Sequence, residues 1–196
     1  SAEQTEESSE EVSEVSEEES ITGSLFRQYY EAIKSGTYML KTTESRMAGG
    51  EAIPYTVTAY HRNGIIYATI EESYGSTSEY IVKDGKLIIL DSFMKTALII
   101  DYSESLFSEK QLWTGAITLE ESGTQMLYDT QYNYEAYTDS TGFEFTLFFN
   151  EDILKRYRSY NSKLMDTIVI SISVSGDISG ALFEIPEGYT ITDTTE

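Results

Sequence analysis

The stretch Ile53-Pro54-Tyr55-Thr56-Val57-Thr58-Ala59-Tyr60-His61-Arg62-Asn63-Gly64-Ile65-Ile66-Tyr67-Ala68-Thr69-Ile70-Glu71-Glu72 decides the fold class. Ile53, Tyr55, Val57 and Ala59 alternate with Thr56, Thr58 and Tyr60, the two-residue period of a strand with one apolar face. Asn63-Gly64 then offers the pair that most readily takes positive φ in a two-residue hairpin. Residues Ile65 to Glu72 read as the returning strand. Two strands joined this way are antiparallel, and one apolar face per strand means a sheet with one side covered or hollow.

The pattern continues in both directions. Upstream, Thr37 to Glu44 reads as a strand that turns at Gly49-Gly50. Downstream come a Tyr74-Gly75-Ser76 loop, strands at Glu79 to Lys83 and Lys86 to Asp91 joined by Asp84-Gly85, and a short strand at Ala97 to Asp101. Tyr102 to Trp113 breaks the alternation, and Leu106, Phe107 and Leu112 suit a short helix over the sheet. Strands resume at Thr114 to Glu121, Met126 to Thr138, Phe143 to Phe149, Ile153 to Tyr160 and Leu164 to Val174. Phe143, Phe145, Leu147 and Phe149 share one face, as do Ile168, Ile170, Ile172 and Val174. About ten or eleven meandering strands accumulate enough twist to curl.

Ahead of the strands, Leu25, Phe26, Tyr29, Tyr30 and Ile33 form one helical stripe. Ser24 is placed to cap that helix, Lys34 suits the negative end of its dipole, and Gly36 fits a left-handed stop. At the far end, Phe183-Glu184-Ile185-Pro186-Glu187-Gly188-Tyr189 reads as a closing turn with Phe183 and Ile185 anchored in the core.

Residues 1–19 contain nine Glu and no Lys or Arg, and Ala2, Val12 and Val15 are their only apolar residues. Such a segment buries too little surface to offset chain entropy, so 1–20 is expected to be a disordered acidic tether before a single β-rich domain, 21–196. The chain begins Ser1-Ala2-Glu3, and an acidic Ser/Glu tract of this kind commonly follows the lipid-modified cysteine of a bacterial surface lipoprotein. The expectation is an extracytoplasmic protein tethered to the outer face of the cell membrane. No apolar run approaches the roughly 18 residues of a membrane-spanning helix.

The net charge of −21 disfavours phosphate-rich partners, and the remaining residues still carry 25 acids against 13 bases. Nucleic acid binding is therefore not expected. With no Cys and a single His, the chain offers no thiol nucleophile, no Cys-based zinc site and no His cluster. His61, beside Asn63-Gly64, reads as a structural surface residue. The acid pairs Glu71-Glu72, Glu120-Glu121 and Glu151-Asp152, and Asp139 near Asp129, read as solvated groups at strand ends. Lys155, Arg156 and Arg158 with Tyr157 and Tyr160 read as a charge-protected edge strand. No metal, no cofactor and no catalytic residue are expected.

Four pieces, in order, resemble one family: Tyr29-Tyr30-Glu31-Ala32-Ile33-Lys34-Ser35-Gly36-Thr37-Tyr38, Tyr80-Ile81-Val82-Lys83-Asp84-Gly85-Lys86-Leu87, Tyr134-Glu135-Ala136-Tyr137 and the closing Phe183 to Tyr189. Their order and spacing look like the LolA-like lipoprotein-carrier superfamily, particularly lipid-anchored Gram-positive members, over about Ser24 to Thr192. The resemblance implies a half-open β-barrel whose concave side is plugged by helices and keeps a hydrophobic cavity for lipid or acyl chains. It carries over no functional residue. Face alternation alone assigns Tyr55, Val57, Ile66, Ile70, Leu119, Phe145 and Ile170 to the cavity lining. The expected function is a non-catalytic module binding a lipid, acyl chain or other apolar ligand. The alternative is a protein-interaction or sensory lipoprotein with a filled core.

Overall fold

A computed structural model describes residues 21, 23–103, 113, 115–159, 166–173 and 178–195, with only the backbone at 46–48, 166–171 and 173. The tether 1–20, most of the connector expected to be helical, and Val174 therefore lie outside the described residues. The chain is mostly β, 61% strand, in a large curved antiparallel sheet that does not close into a barrel. Within the described residues it has one α-helix, α1 (Arg27–Lys34).

Twelve strands take part. The first meander is β1 (Thr37–Ala48), β2 (Glu51–Arg62), β3 (Ile65–Glu72), β4 (Thr77–Lys83), β5 (Lys86–Asp91) and β6 (Thr96–Asp101). The second is β7 (Ile117–Leu127), β8 (Thr130–Asp139), β9 (Glu144–Asn150), β10 (Ile153–Ser159) and β11 (Asp166–Ser173). They join through an antiparallel β1–β11 pairing, and β12 (Thr190–Asp193) adds parallel to β6, giving the order β12-β6-β5-β4-β3-β2-β1-β11-β10-β9-β8-β7. Register shifts fall in β1–β11, β7–β8 and β9–β10, so all three lie in or against the second meander. Each such bulge bends its strand and adds twist.

The hairpins Asn63-Gly64 and Asp84-Gly85 form as expected, with positive φ at both residues. Three expectations need correction. β7 does not end near Glu121 but continues through Ser122-Gly123-Thr124 to Leu127, and the turn is Tyr128-Asp129. Gly123 is a mid-strand residue over which the Tyr134 ring lies, so that a Cβ there would meet the ring at 3.1 Å. β10 is not an edge: it pairs with β9 and β11, and the edges of the sheet are β7 and β12. Finally, Tyr189 leads into a twelfth strand, docked by a Thr190 N–H donated to the Lys95 carbonyl at 2.9 Å.

The core has three parts. On the concave face, the helix-bearing half holds Phe26, Tyr30, Leu40, Tyr137, Phe145, Leu147 and Phe149. The other half holds Ala59, Ile66, Ala68, Val82 and Leu87. On the convex face, Ile81, Ile88, Leu90 and Ala97 are packed by Ile185 and Tyr189 of the closing segment. Phe183 is buried as well, so the ending does anchor the core.

Candidate functional site

The concave face is one surface, because register carries it from strand to strand. Glu44, Thr42, Leu40 and Tyr38 of β1 face Tyr55, Val57, Ala59 and His61 of β2. Those oppose Glu72, Ile70, Ala68 and Ile66 of β3, and the row continues through Tyr80 and Val82 of β4, Leu87 and Ile89 of β5, and Leu98 and Ile100 of β6.

Over the second meander this surface is filled. Phe145 has no exposed area, and Tyr137 stacks on it at 5.4 Å while Trp113 stacks at 6.2 Å. Phe26 packs edge-on against Trp113 at 5.2 Å and tilted against Tyr137 at 5.6 Å.

The helix is held there by side chains distant in sequence. Ser24 is not its cap: the residue at the cap position is Phe26, with no side-chain cap bond. Instead the buried Glu135 carboxylate of β8 accepts from the Leu25 N–H at 2.7 Å, the Phe26 N–H at 3.1 Å and the Tyr137 hydroxyl at 2.8 Å. This satisfies N–H groups ahead of the first turn and places negative charge at the positive end of the dipole. Further along, the Leu154 N–H donates to the Tyr29 hydroxyl at 3.0 Å and Gln28 donates to the Asp152 carbonyl. At the end, Gly36 takes φ +71 and its carbonyl accepts from the Asn63 N–H at 2.8 Å, fastening the helix stop to the β2–β3 hairpin.

Over the first meander the same face is only half covered. Ala59, Ile66, Ala68, Val82 and Leu87 are buried near the Asn63-Gly64 end. Toward the opposite end Val57, Ile70, Tyr80 and Ile89 are half-buried, and Leu98 is exposed. Tyr102 and Trp113, the described ends of the β6–β7 connector, pack on the two halves respectively. At the rim, the Tyr55 hydroxyl donates to Glu44 at 2.8 Å, with Glu72 opposite Tyr55 on β3.

The seven residues assigned to the lining divide accordingly. Tyr55, Val57, Ile66 and Ile70 come together on the half-covered side, Val57 directly opposite Ile70. Leu119 and Phe145 belong to the packed half. Ile170 is skipped in the β1–β11 pairing, which passes from Lys41–Ser171 to Thr42–Val169. Tyr80, Ile89, Ile100 and Tyr102 line the half-covered side and were not assigned. The alternation of β4, β5 and β6 held that signal for the first three.

Other polar residues have structural surroundings. His61 is not a surface residue: it is buried, stacked on Tyr38 with centroids 4.2 Å apart, because β2 turns that side chain onto the concave face. Asp139 is not solvated but buried, accepting from the Thr141 N–H, the Thr141 hydroxyl and the Phe143 N–H to shape the β8–β9 turn. Glu120-Glu121 lie within β7 rather than at its end. Arg156 sits over the rings of Tyr128 and Tyr132, and Arg158 over Phe148, all on the convex side of β8–β10. Among the described residues no group of three or more His, Cys, Asp or Glu is placed to hold a metal ion, and no helix is long and apolar enough to cross a membrane.

No protein-family model matches the chain, and no curated protein matches it. Solved structures with a similar course include an uncharacterized conserved protein from Thermus thermophilus. It has TM-score 0.45 and 13% identity, over 85% of this chain and 99% of that one. A DUF1329 family protein from Desulfovibrio piger aligns with TM-score 0.40 and 10% identity, over 82% and 94%. The Pseudomonas aeruginosa MucA/MucB complex aligns with TM-score 0.41 and 13% identity, over 86% of this chain and 62% of that one. Likenesses this distant carry no argument about function.

Proposed function

We propose that this chain is a non-catalytic extracytoplasmic binding module that holds a lipid, an acyl chain or another apolar ligand on the half-covered side of its concave face. One observation carries the reading: the face that is filled with rings under α1 becomes, across β2–β6, a strip of half-buried Val57, Ile70, Tyr80 and Ile89. Apolar area left this way gains about 25 cal/mol per Å² when a ligand covers it. The strip is apolar with a few tyrosines, the composition of a small-molecule site. Tyr55 and Tyr80 would orient a ligand's polar end.

Native mass spectrometry after mild purification tests this directly. Co-purified lipid that is lost in Ile70→Glu supports the reading, and bare wild-type protein that also fails to take up a fluorescent fatty acid sinks it. Attachment to the outer face of a membrane, through a lipid anchor ahead of residue 1, is part of the same proposal and rests on the acidic composition of 1–19. A lipobox cysteine encoded upstream would support it.

A second reading, a protein-interaction or sensory module, is favoured by the convex side of β8–β10. There Arg156 and Arg158 lie over aromatic rings and Tyr128 is 73% exposed. Arg and Tyr are the residues enriched where partners bind.

A further inference from the structure

The largest apolar exposure in the described chain lies at the tip of the β5–β6 hairpin. Phe93 is 92% exposed and Met94 64%. The tip is not a loose loop. The Met94 N–H donates to the Asp91 carboxylate at 2.7 Å, Asp91 pairs with Thr96, and the Lys95 carbonyl receives the Thr190 N–H of β12. These bonds hold the turn from both sides and present two large apolar side chains outward. Tyr74, 68% exposed, occupies the β3–β4 turn at the same end of the sheet. With β4 and β5 adjacent, the two turns stand about 10 Å apart.

We infer that this end of the sheet is a membrane-contacting tip, with Phe93 and Met94 entering the interface of a bilayer and Tyr74 at headgroup level. The size of the feature selects the occupant. A Phe and a Met cover roughly a few hundred Å², far below the about 1,200 Å² at which specific protein interfaces begin. A fluid interface requires no complementary pocket and accepts two protruding side chains, and aromatic rings with a polar edge favour its boundary. Charge selects the kind of bilayer. A chain with net charge −21 is repelled by anionic headgroups, and Lys95 is the only base in the turn, so the fitting surface is zwitterionic or neutral. The tip lies outside the concave strip, so this inference and the proposed ligand site fail separately.

The test uses the full chain and phosphatidylcholine vesicles. In Phe93→Trp, emission corrected for the native Trp113 shifts to the blue on adding vesicles and is quenched by probes in the acyl region. Phe93→Ala/Met94→Ala lowers sedimentation with vesicles by about tenfold while its circular dichroism stays that of the wild type. Emission at position 93 that stays water-like with vesicles present overturns the inference. So does a blue shift that grows with protein concentration in their absence, which marks the tip as a contact between copies.

Discussion

Under α1, Phe145 is sealed among Trp113, Tyr137 and Tyr157, whereas Ile70 belongs to the same concave face and stays half-exposed. Both sit on alternating strands, and both face the hollow side of a curved sheet. The two halves differ in what is pinned over them. Three bonds from β8 and β10 lock the helical segment onto the second meander, a fourth ties only its stop to the β2–β3 turn, and the described part of the chain supplies no comparable cover for the first meander. Filling of a curved sheet is therefore decided by a few directional bonds as much as by apolar pattern.

The comparison is broken most severely by truncating the two faces in parallel. Phe145→Ala should cost about 3–5 kcal/mol, since it removes a fully buried ring and leaves a cavity among fixed neighbours. Ile70→Ala should cost only about 1 kcal/mol, because that side chain keeps part of its contact with water. Urea unfolding of both variants measures the difference. Equal losses would mean that the β2–β6 half is as tightly packed as the other, and would remove the basis for a ligand strip.

The next effect is at Glu135. Glu135→Ala leaves two N–H groups at the helix start and the Tyr137 hydroxyl without their acceptor, and should cost about 2–4 kcal/mol. A loss below about 0.5 kcal/mol would show that water takes over the role. Urea midpoints decide, and Trp113 emission, next to Phe26, reports whether the helix has lifted.

This residue also marks what was legible in the sequence. Strand periodicity and the Asn-Gly and Asp-Gly pairs gave β3 and β5 with their observed bounds, because both signals are local. Tyr134-Glu135-Ala136-Tyr137 was recognisable as a piece of pattern, yet its role was not. The contact joins Leu25 to a carboxylate 110 residues away, and no local rule anticipates it. The same reason hid the β1–β11 junction and the interior place of β10. At the candidate site, Val57 and Ile70 were legible from alternation. The burial of Phe145 was not, because period two fixes a face but not what covers it.

Alkaline pH offers a third, smaller test. Burial pushes the Tyr137 and Tyr157 hydroxyls well above the ordinary tyrosine range, and both lie in the packed half. On the convex face, burial and then the Glu79 charge push Tyr67 up to about 12. A raised folded value means that the unfolded chain sheds its phenolic proton first, near pH 10. The stabilisation is thus complete below about pH 10 and is lost as pH rises through the folded values. Stability should fall steadily above that point, and Tyr157→Phe should give a shallower fall. An unchanged slope would place Tyr157 in contact with water.

The smallest effect concerns the turns, where the two halves differ again. Asn63-Gly64 and Asp84-Gly85, which serve the open half, have φ of 51 and 83 and of 52 and 73. Tyr128-Asp129 and Glu151-Asp152, which serve the packed half, adopt the same pair of positive values, 48 and 62 and then 50 and 63, without a glycine. A left-handed residue other than Gly, Asn or Asp costs about 1 kcal/mol, so Tyr128 and Glu151 carry turn strain that the Asn63-Gly64 and Asp84-Gly85 pairs avoid. Dense packing between β9 and β10 holds its hairpin closed despite the turn, whereas the β2–β3 and β4–β5 hairpins of the open half have turns that close by themselves. Glu151→Asn/Asp152→Gly should accordingly raise stability by about 1 kcal/mol, seen as a higher urea midpoint with unchanged slope. Asn63→Glu/Gly64→Asp should lower it by at least as much, because among the described residues no helix packs over the centre of the β2–β3 hairpin to offset the strain. Two equal and opposite changes would mean that strain is a property of the turn alone. A larger loss at Asn63-Gly64 would show that the open half relies on local geometry where the packed half relies on its core.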